Sequence, residues 1–281
     1  LIYFYKVNLL LRFLAIILFS TNSFADGISQ YISNLIPGEG DTEVSIDFRE
    51  NHKPDYSILA VREIEKTETG NIFTQLSLFN TEKNNDERIV GNIGFGLRTL
   101  SEDKTILTGF NSFIDYDDND NARMSIGVEG RSAVLEFWFN QYFGISDGKD
   151  EKVLDGYDLR LASQIPYLHW GDVFINAYEW EGRDRDDIKG KKLGSELLLT
   201  PNINLEIAYD DKDKIGLEDE WYTKIIYFHP PRSSPSLQDG FVNDDVWKEE
   251  KDMSGELLTK VQRNNKIMVE FKGLSTISRT D

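Results

Sequence analysis

Asn202-Ile203-Asn204-Leu205-Glu206-Ile207-Ala208-Tyr209-Asp210 sets a large apolar side chain at every odd position and a polar or small one at every even position. A helix would spread that pattern around its surface, whereas a strand sorts it onto two faces. The same period of two runs outward from this stretch. In 122–131, Met124, Ile126 and Val128 oppose Arg123, Ser125, Gly127, Glu129 and Arg131. In 91–98, Ile93, Phe95 and Leu97 oppose Asn92, Gly94, Gly96 and Arg98, and in 43–49, Val44, Ile46 and Phe48 oppose Glu43, Ser45, Asp47 and Arg49. Segments of this kind fall near 42–49, 55–63, 71–80, 88–98, 104–114, 122–131, 133–143, 156–165, 172–180, 191–199, 202–210 and 220–228. Several reach the roughly 9–11 residues that a tilted strand needs to cross a bilayer, more than the about 5–6 usual in soluble proteins.

The connections alternate in character. Those near 99–103, 131–133 and 199–202 are short and 166–171 is a compact apolar-aromatic turn, while 115–121, 146–155, 181–189 and 210–220 are charged and mostly longer. Short turns opposite long loops is the layout of a membrane barrel with both ends in the periplasm. The fold predicted is all-β: a 12-stranded antiparallel transmembrane β-barrel over 42–228, with a C-terminal linker, 229–281, that can pass through the lumen. Residues 241–260 are polar with scattered apolar positions, suited to a hydrated pore.

Composition agrees. The 281 residues carry a formal net charge of −18, 28% are charged, and there is no cysteine. A nucleic-acid partner would demand a basic footprint, which this acidic chain lacks. Mean hydropathy is −0.43, too polar for a bundle of membrane helices, yet compatible with a barrel in which alternate residues meet lipid. Residues 1–25 differ from the rest: Lys6 and Arg12, the apolar run Phe13 to Phe19, then Ser23-Phe24-Ala25. That is a secretory signal peptide, too short in its apolar core to span a membrane. Residues 26–41 form a short periplasmic lead-in.

On these patterns Phe95, Phe110, Ile126, Phe137, Phe139, Leu205 and Ile207 face lipid. Arg98, Asn111, Arg123, Glu129, Arg131, Glu136, Asp158 and Arg160 face a wet, ion-paired lumen. Mixed signs in that second set favour pairing across neighbouring strands over a selective charged ring. Asp115, Asp117, Asp118 and Asp120 offer oxygens to calcium, but without the loop glycine and distal glutamate of an EF-hand. His52, His169 and His229 are too scattered to ligate metal, and His52 beside Asp55 forms no triad. No enzyme, metal or cofactor is predicted.

Several runs, taken together, resemble the inverse autotransporter β-domain, the translocator barrel of the intimin and invasin family. Asn92-Ile93-Gly94-Phe95-Gly96-Leu97-Arg98 is similar to an N-x-G-x-G-x-R strand, and Gly109 to Asp117 to the G-x-N-x-F-x-D-Y-D strand that comes after it. Phe73-Thr74-Gln75, Gly127-Val128-Glu129, Asn140-Gln141-Tyr142-Phe143 and Gly156 to Arg160 fall in the family's order, and Val261 to Phe271 resembles the stretch leading into the passenger. The resemblance implies an outer-membrane barrel, exported by its signal peptide in a Gram-negative cell, acting as translocator or anchor for a C-terminal surface segment. The alternative is a passenger-less small porin or structural barrel. The resemblance makes the protein adhesion-related, with adhesion itself lying in the family's passenger, of which the sequence holds ten residues past Phe271. Expected partners are outer-membrane lipid and lipopolysaccharide, the barrel-assembly machinery and periplasmic chaperones. A surface receptor is expected only where a passenger exists.

Overall fold

The structure is a computed structural model and describes residues 36–50, 52–83, 86–213, 219–248 and 252–272, with Gly27 and Tyr31. The predicted signal peptide, 1–25, lies outside the described residues. The strands in chain order are β1 (Thr42–Arg49), β2 (Asp55–Lys66), β3 (Gly70–Lys83), β4 (Asp86–Leu100), β5 (Leu107–Asp117), β6 (Ala122–Arg131) and β7 (Leu135–Ser146). They continue with β8 (Glu151–Val153), β9 (Gly156–Ile165), β10 (Leu168–Trp180), β11 (Ile188–Thr200), β12 (Ile203–Lys212), β13 (Glu220–His229) and β14 (Val269–Phe271). All but β8 and β14 form one closed antiparallel barrel in which each strand pairs with its sequence neighbours. Closure comes from β1 against β13, with Val44 opposite Tyr227 and Arg49 opposite Tyr222. A closed sheet has no edge, so every barrel strand satisfies its backbone without water, as a span through hydrocarbon requires.

Strand starts move where a turn captures the chain first. β5 begins at Leu107 rather than 104, because Asp103 accepts bonds from Ser101 Oγ (2.6 Å) and from Thr105 N and Oγ1, and Lys104 takes φ of 60°. This asx-type closure removes 101–106 from the ladder. At the other end the long-loop rule holds unevenly. β3 and β4 rise far enough to pair Lys83 with Asp86, and Asp115 and Asp117 belong to β5, which leaves a tight turn at 118–121.

Burial alternates along the strands. In β6 Arg123, Ser125, Gly127, Glu129 and Arg131 turn inward while Met124, Ile126 and Val128 are exposed. The inward face is not purely polar, however. Leu59, Val61, Phe73 and Phe113 form an apolar cluster inside the barrel, and Trp138, Ala162, Phe174 and Ala208 form another. The glycines of β4 make room for the first cluster. Gly96 sits opposite Phe73 and Gly94 opposite Phe113 across the ladder. A Cβ on Gly94 would fall 2.2 Å from the Phe113 ring, and one on Gly96 2.4 Å from that of Phe73.

The C-terminal stretch divides in two. Residues 237–248 lie against the short turns, not in the pore: Tyr167 N donates to Val246 O, and Lys248 N to Gln164 Oε1. Met253 N then donates to Lys104 O in the β4–β5 turn. From there Met253, Val261, Ile267 and Val269 are buried, Val261 in the cluster with Phe73 and Phe113. β14 finally pairs with β8, Val269 opposite Val153 and Phe271 opposite Glu151.

The inward glycines give a direct test. G94A should destabilise the barrel by about 1–3 kcal/mol, the usual cost of overpacking. G91A, whose Cβ would meet nothing within 4 Å, should be neutral. The readout is the temperature at which the compact, fast-migrating form is lost in unheated-sample SDS electrophoresis.

Candidate functional site

The functional geometry lies where the inward strand faces meet residues 256–268. Arg98 is fully buried. Its Nε donates to Glu129 Oε1 at 2.7 Å, and its guanidinium lies 4.4 Å from the centre of the Phe73 ring that Gly96 admits. Another of its nitrogens, Nη1, donates to the carbonyls of Leu257 (2.9 Å) and Thr259 (2.6 Å). Glu129 is held in turn by Trp138 Nε1 at 3.1 Å. Arg131 pairs with Glu136 and reaches Thr259 Oγ1 (2.7 Å) and Glu256 (2.8 Å).

One level further along, Asp115 is shared by Arg123 from β6 and Arg263 from the segment, each at 2.7 Å, all three side chains wholly buried. Arg263 stacks 4.3 Å from the ring centre of Phe113, the aromatic that Gly94 admits. Arg123 Nη2 donates to Asn264 O at 2.8 Å, Tyr142 Oη donates to Asp158, and Asn264 N donates to Tyr142 Oη at 2.8 Å. Asn140 joins Asp158 to Gln262 O, Asn92 joins Asp115 to Asn265 O, and Gln75 accepts from Val261 N. These bonds go to backbone groups as often as to side chains, with Glu256, Thr259 and Arg263 supplying the side-chain contacts.

Of the residues predicted for the lumen, Arg98, Arg123, Arg131 and Asp158 touch the segment, whereas Glu129 and Glu136 orient arginines. Arg160 stacks on Phe174 and pairs with Glu196, which also accepts from Gln262 of the segment. Asn111 is buried beside Gly127, its amide without a protein partner. Of those predicted to face lipid, Phe95 and Phe110 are each 54% exposed, Ile126 and Ile207 are also exposed, and Phe137 and Phe139 are half-buried. Leu205 shares their side of the sheet but is buried, lying between Leu197 and Ile225 of the adjoining strands. The acidic run disperses: Asp115 is in the arginine cluster, Asp117 meets Arg88 and Asn121, and Asp120 accepts from Tyr116. Gln75, Asn92, Asn140 and Tyr142 carry no charge to mark them. Their signal lies in the motif runs, which give them no role.

At the lumen's short-turn mouth Arg232 pairs with Asp41 and Glu43, and Lys260 with Glu43 at 3.1 Å. Burial raises the Asp41 carboxyl from its ordinary 3.8 to about 6, against the lowering pull of Arg232.

A closed barrel with an apolar outer surface and an interior lined by paired charges is an outer-membrane β-barrel. The family described as "Inverse autotransporter, beta-domain" matches residues 19–265, and the chain belongs to it. Among relatives, intimin of Escherichia coli O111:H- is 26% identical over 211 residues, covering 69% of this chain and 22% of that protein. Intimin of Citrobacter freundii is 25% identical over 210 residues with the same coverage. The chain thus spans about a fifth of the length of the curated relatives it matches. A solved structure from work on the in-meso crystallization of membrane proteins superposes with TM-score 0.66 at 20% identity, over 83% of this chain and 99% of the other. That likeness shows the same fold.

Two outcomes test the site. R98A leaves Glu129 buried without its closest cation, which costs about 3 kcal/mol or more, frees the carbonyl of Thr259 and leaves that of Leu257 to Asn71 alone. Amide exchange in 257–261 should accelerate by more than exchange in β10–β12, as read by mass spectrometry. For Asp41, a folded pKa above the ordinary one means that the folded state binds its proton more tightly. The resulting stability is fully present below about pH 4 and lost as pH rises through about 6. D41N should flatten that part of the unfolding-temperature profile.

Proposed function

We propose that this barrel is a translocator and anchor, holding a polypeptide that threads its lumen from the short-turn side and delivers any more C-terminal residues to the cell surface. One observation carries the reading. Residues 253–272 are bonded at one end to the β4–β5 turn, through Met253 N and Lys104 O, and at the other to the long loops, through Lys272 N and Asp150 O at 2.8 Å. Between them lie the arginine contacts, so the segment travels the barrel's full height. The mechanism is passive. Strand pairing and insertion into the bilayer supply the free energy, and Arg98, Arg123 and Arg131 fix the finished chain by its carbonyls and side chains.

In this reading Phe95, Phe110, Ile126, Phe137, Phe139, Leu205 and Ile207 form the surface toward lipid and lipopolysaccharide. The set from Arg98 to Arg160 lines the lumen, residues 1–25 direct export, and periplasmic chaperones and the barrel-assembly machinery deliver the chain. Adhesion and any surface receptor belong to a passenger beyond the barrel.

A second reading, a small porin, is favoured by a cavity of about 480 Å³ beside the segment. Its walls include Asp47, Arg160, Lys192, Glu206 and Lys224. D281C separates the two. Labelling by a membrane-impermeant maleimide on intact cells is the result expected of the translocator, and protection until the outer membrane is permeabilised would overturn it. Steady single-channel conductance from the same purified barrel in planar bilayers would favour the porin.

A further inference from the structure

Residues 229–248 circle the short-turn rim before the chain turns inward. Arg232 N donates to Pro201 O in the β11–β12 turn, Trp170 Nε1 of β10 donates to Phe241 O at 3.0 Å, and Tyr167 exchanges backbone bonds with Asn243 and Val246. His169 bonds Asn243 Oδ1 and Asp245 O, and Lys248 reaches Gln164. This rim belt uses backbone groups and short polar side chains to hold the barrel, and so turns its apolar side chains away from it. Phe241 is 66% exposed and Val242 62%, with Val246 and Tyr167 also exposed. Phe241 keeps one ring neighbour, Trp170, at 5.8 Å.

We infer that this patch is an interfacial anchor, seated in the phospholipid leaflet at the short-turn end. Three observations select lipid as the occupant. The patch lies level with the turn tips, the height at which barrels carry aromatic girdles. It continues an outward apolar surface, since Leu135 and Val173 are exposed on β7 and β10 just above Tyr167, and Leu168 stands opposite Ile165 at the turn itself. Its composition also suits the headgroup boundary: exposed Phe241, Val242, Val246 and Tyr167 stand beside the exposed pair Asp244 and Asp245, the mix of apolar and charged groups found in interfacial segments. The belt also leads into the lumen segment that begins at Met253. Seating it in the leaflet therefore fixes the point at which the chain enters the pore.

The chain has no cysteine, so a single introduced thiol reports one position. V242C, labelled with an environment-sensitive fluorophore, is reconstituted in phosphatidylethanolamine and phosphatidylglycerol vesicles. The expected result is a blue-shifted emission that loses most of its intensity to a shallow doxyl-labelled lipid and little to aqueous iodide. D239C, on the same belt but polar and exposed, should show the reverse. Iodide quenching at V242C equal to that at D239C would overturn the inference by placing the patch in water. Shielding from both quenchers would overturn it by placing the patch against a second copy or another protein. Y167C, on the barrel's own turn, gives the same readings if V242C does not assemble into the heat-modifiable form. The inference rests only on the barrel lying in a bilayer. Its failure would leave the surface labelling at D281C unaffected.

Discussion

Asp115 between Arg123 and Arg263 is the contact around which the rest of the molecule is arranged. Three ionised groups with no solvent exposure depend on one another, because an uncompensated charge in such a place costs more than the pair returns. Two cations face one anion; Asp158, held by Tyr142, and the carbonyl of Asn264 offset the excess, while Arg123 Nη1 and Arg263 Nε keep no hydrogen-bond partner. The barrel wall and the segment are therefore electrostatically incomplete without each other. The lumen gains its specificity from pairing geometry rather than from net charge.

Small residues make that geometry possible. An inward glycine admits an aromatic ring from the strand opposite, the ring supports a guanidinium, and the guanidinium bridges wall and segment, from the wall in Arg98 and from the segment in Arg263. Gly96, Phe73 and Arg98 form one such stack, and Gly94, Phe113 and Arg263 the other. A planar, delocalised cation lies flat on a ring and still directs its hydrogen bonds sideways, which a lysine ammonium does not do. The alternation of glycine along β4 is thus a statement about cross-strand volume.

Strand number, the barrel's closure and which residues share a face are all legible in the sequence, because a period of two is imposed by backbone geometry. Arg98, Arg131 and Asp158 are visible there as inward charges. The features that escape the sequence depend on partners distant along the chain. The role of Gln75 exists only because Val261 N arrives beside it, and the apolar lumen cluster forms only when Val261 completes it. The rim belt reads as pore lining in the sequence because Phe241, Val242 and Val246 are interspersed with polar residues with no regular period. Nothing local separates a chain that crosses a lumen from one that skirts its mouth.

The segment's arginine and asparagine contacts come from β3 to β9, while the cavity opens toward β1 and β10–β13. The links that cross the open side are long side chains, Lys260 to Glu43, Gln262 to Glu196 and Lys266 to Asp55. First and last strands meet on this side as well, where Lys260 to Glu43 is the link from the segment to β1. The central segment is thus moored to one wall, and the join of β1 on β13, paired from Thr42–His229 to Arg49–Tyr222, is held by its own backbone ladder.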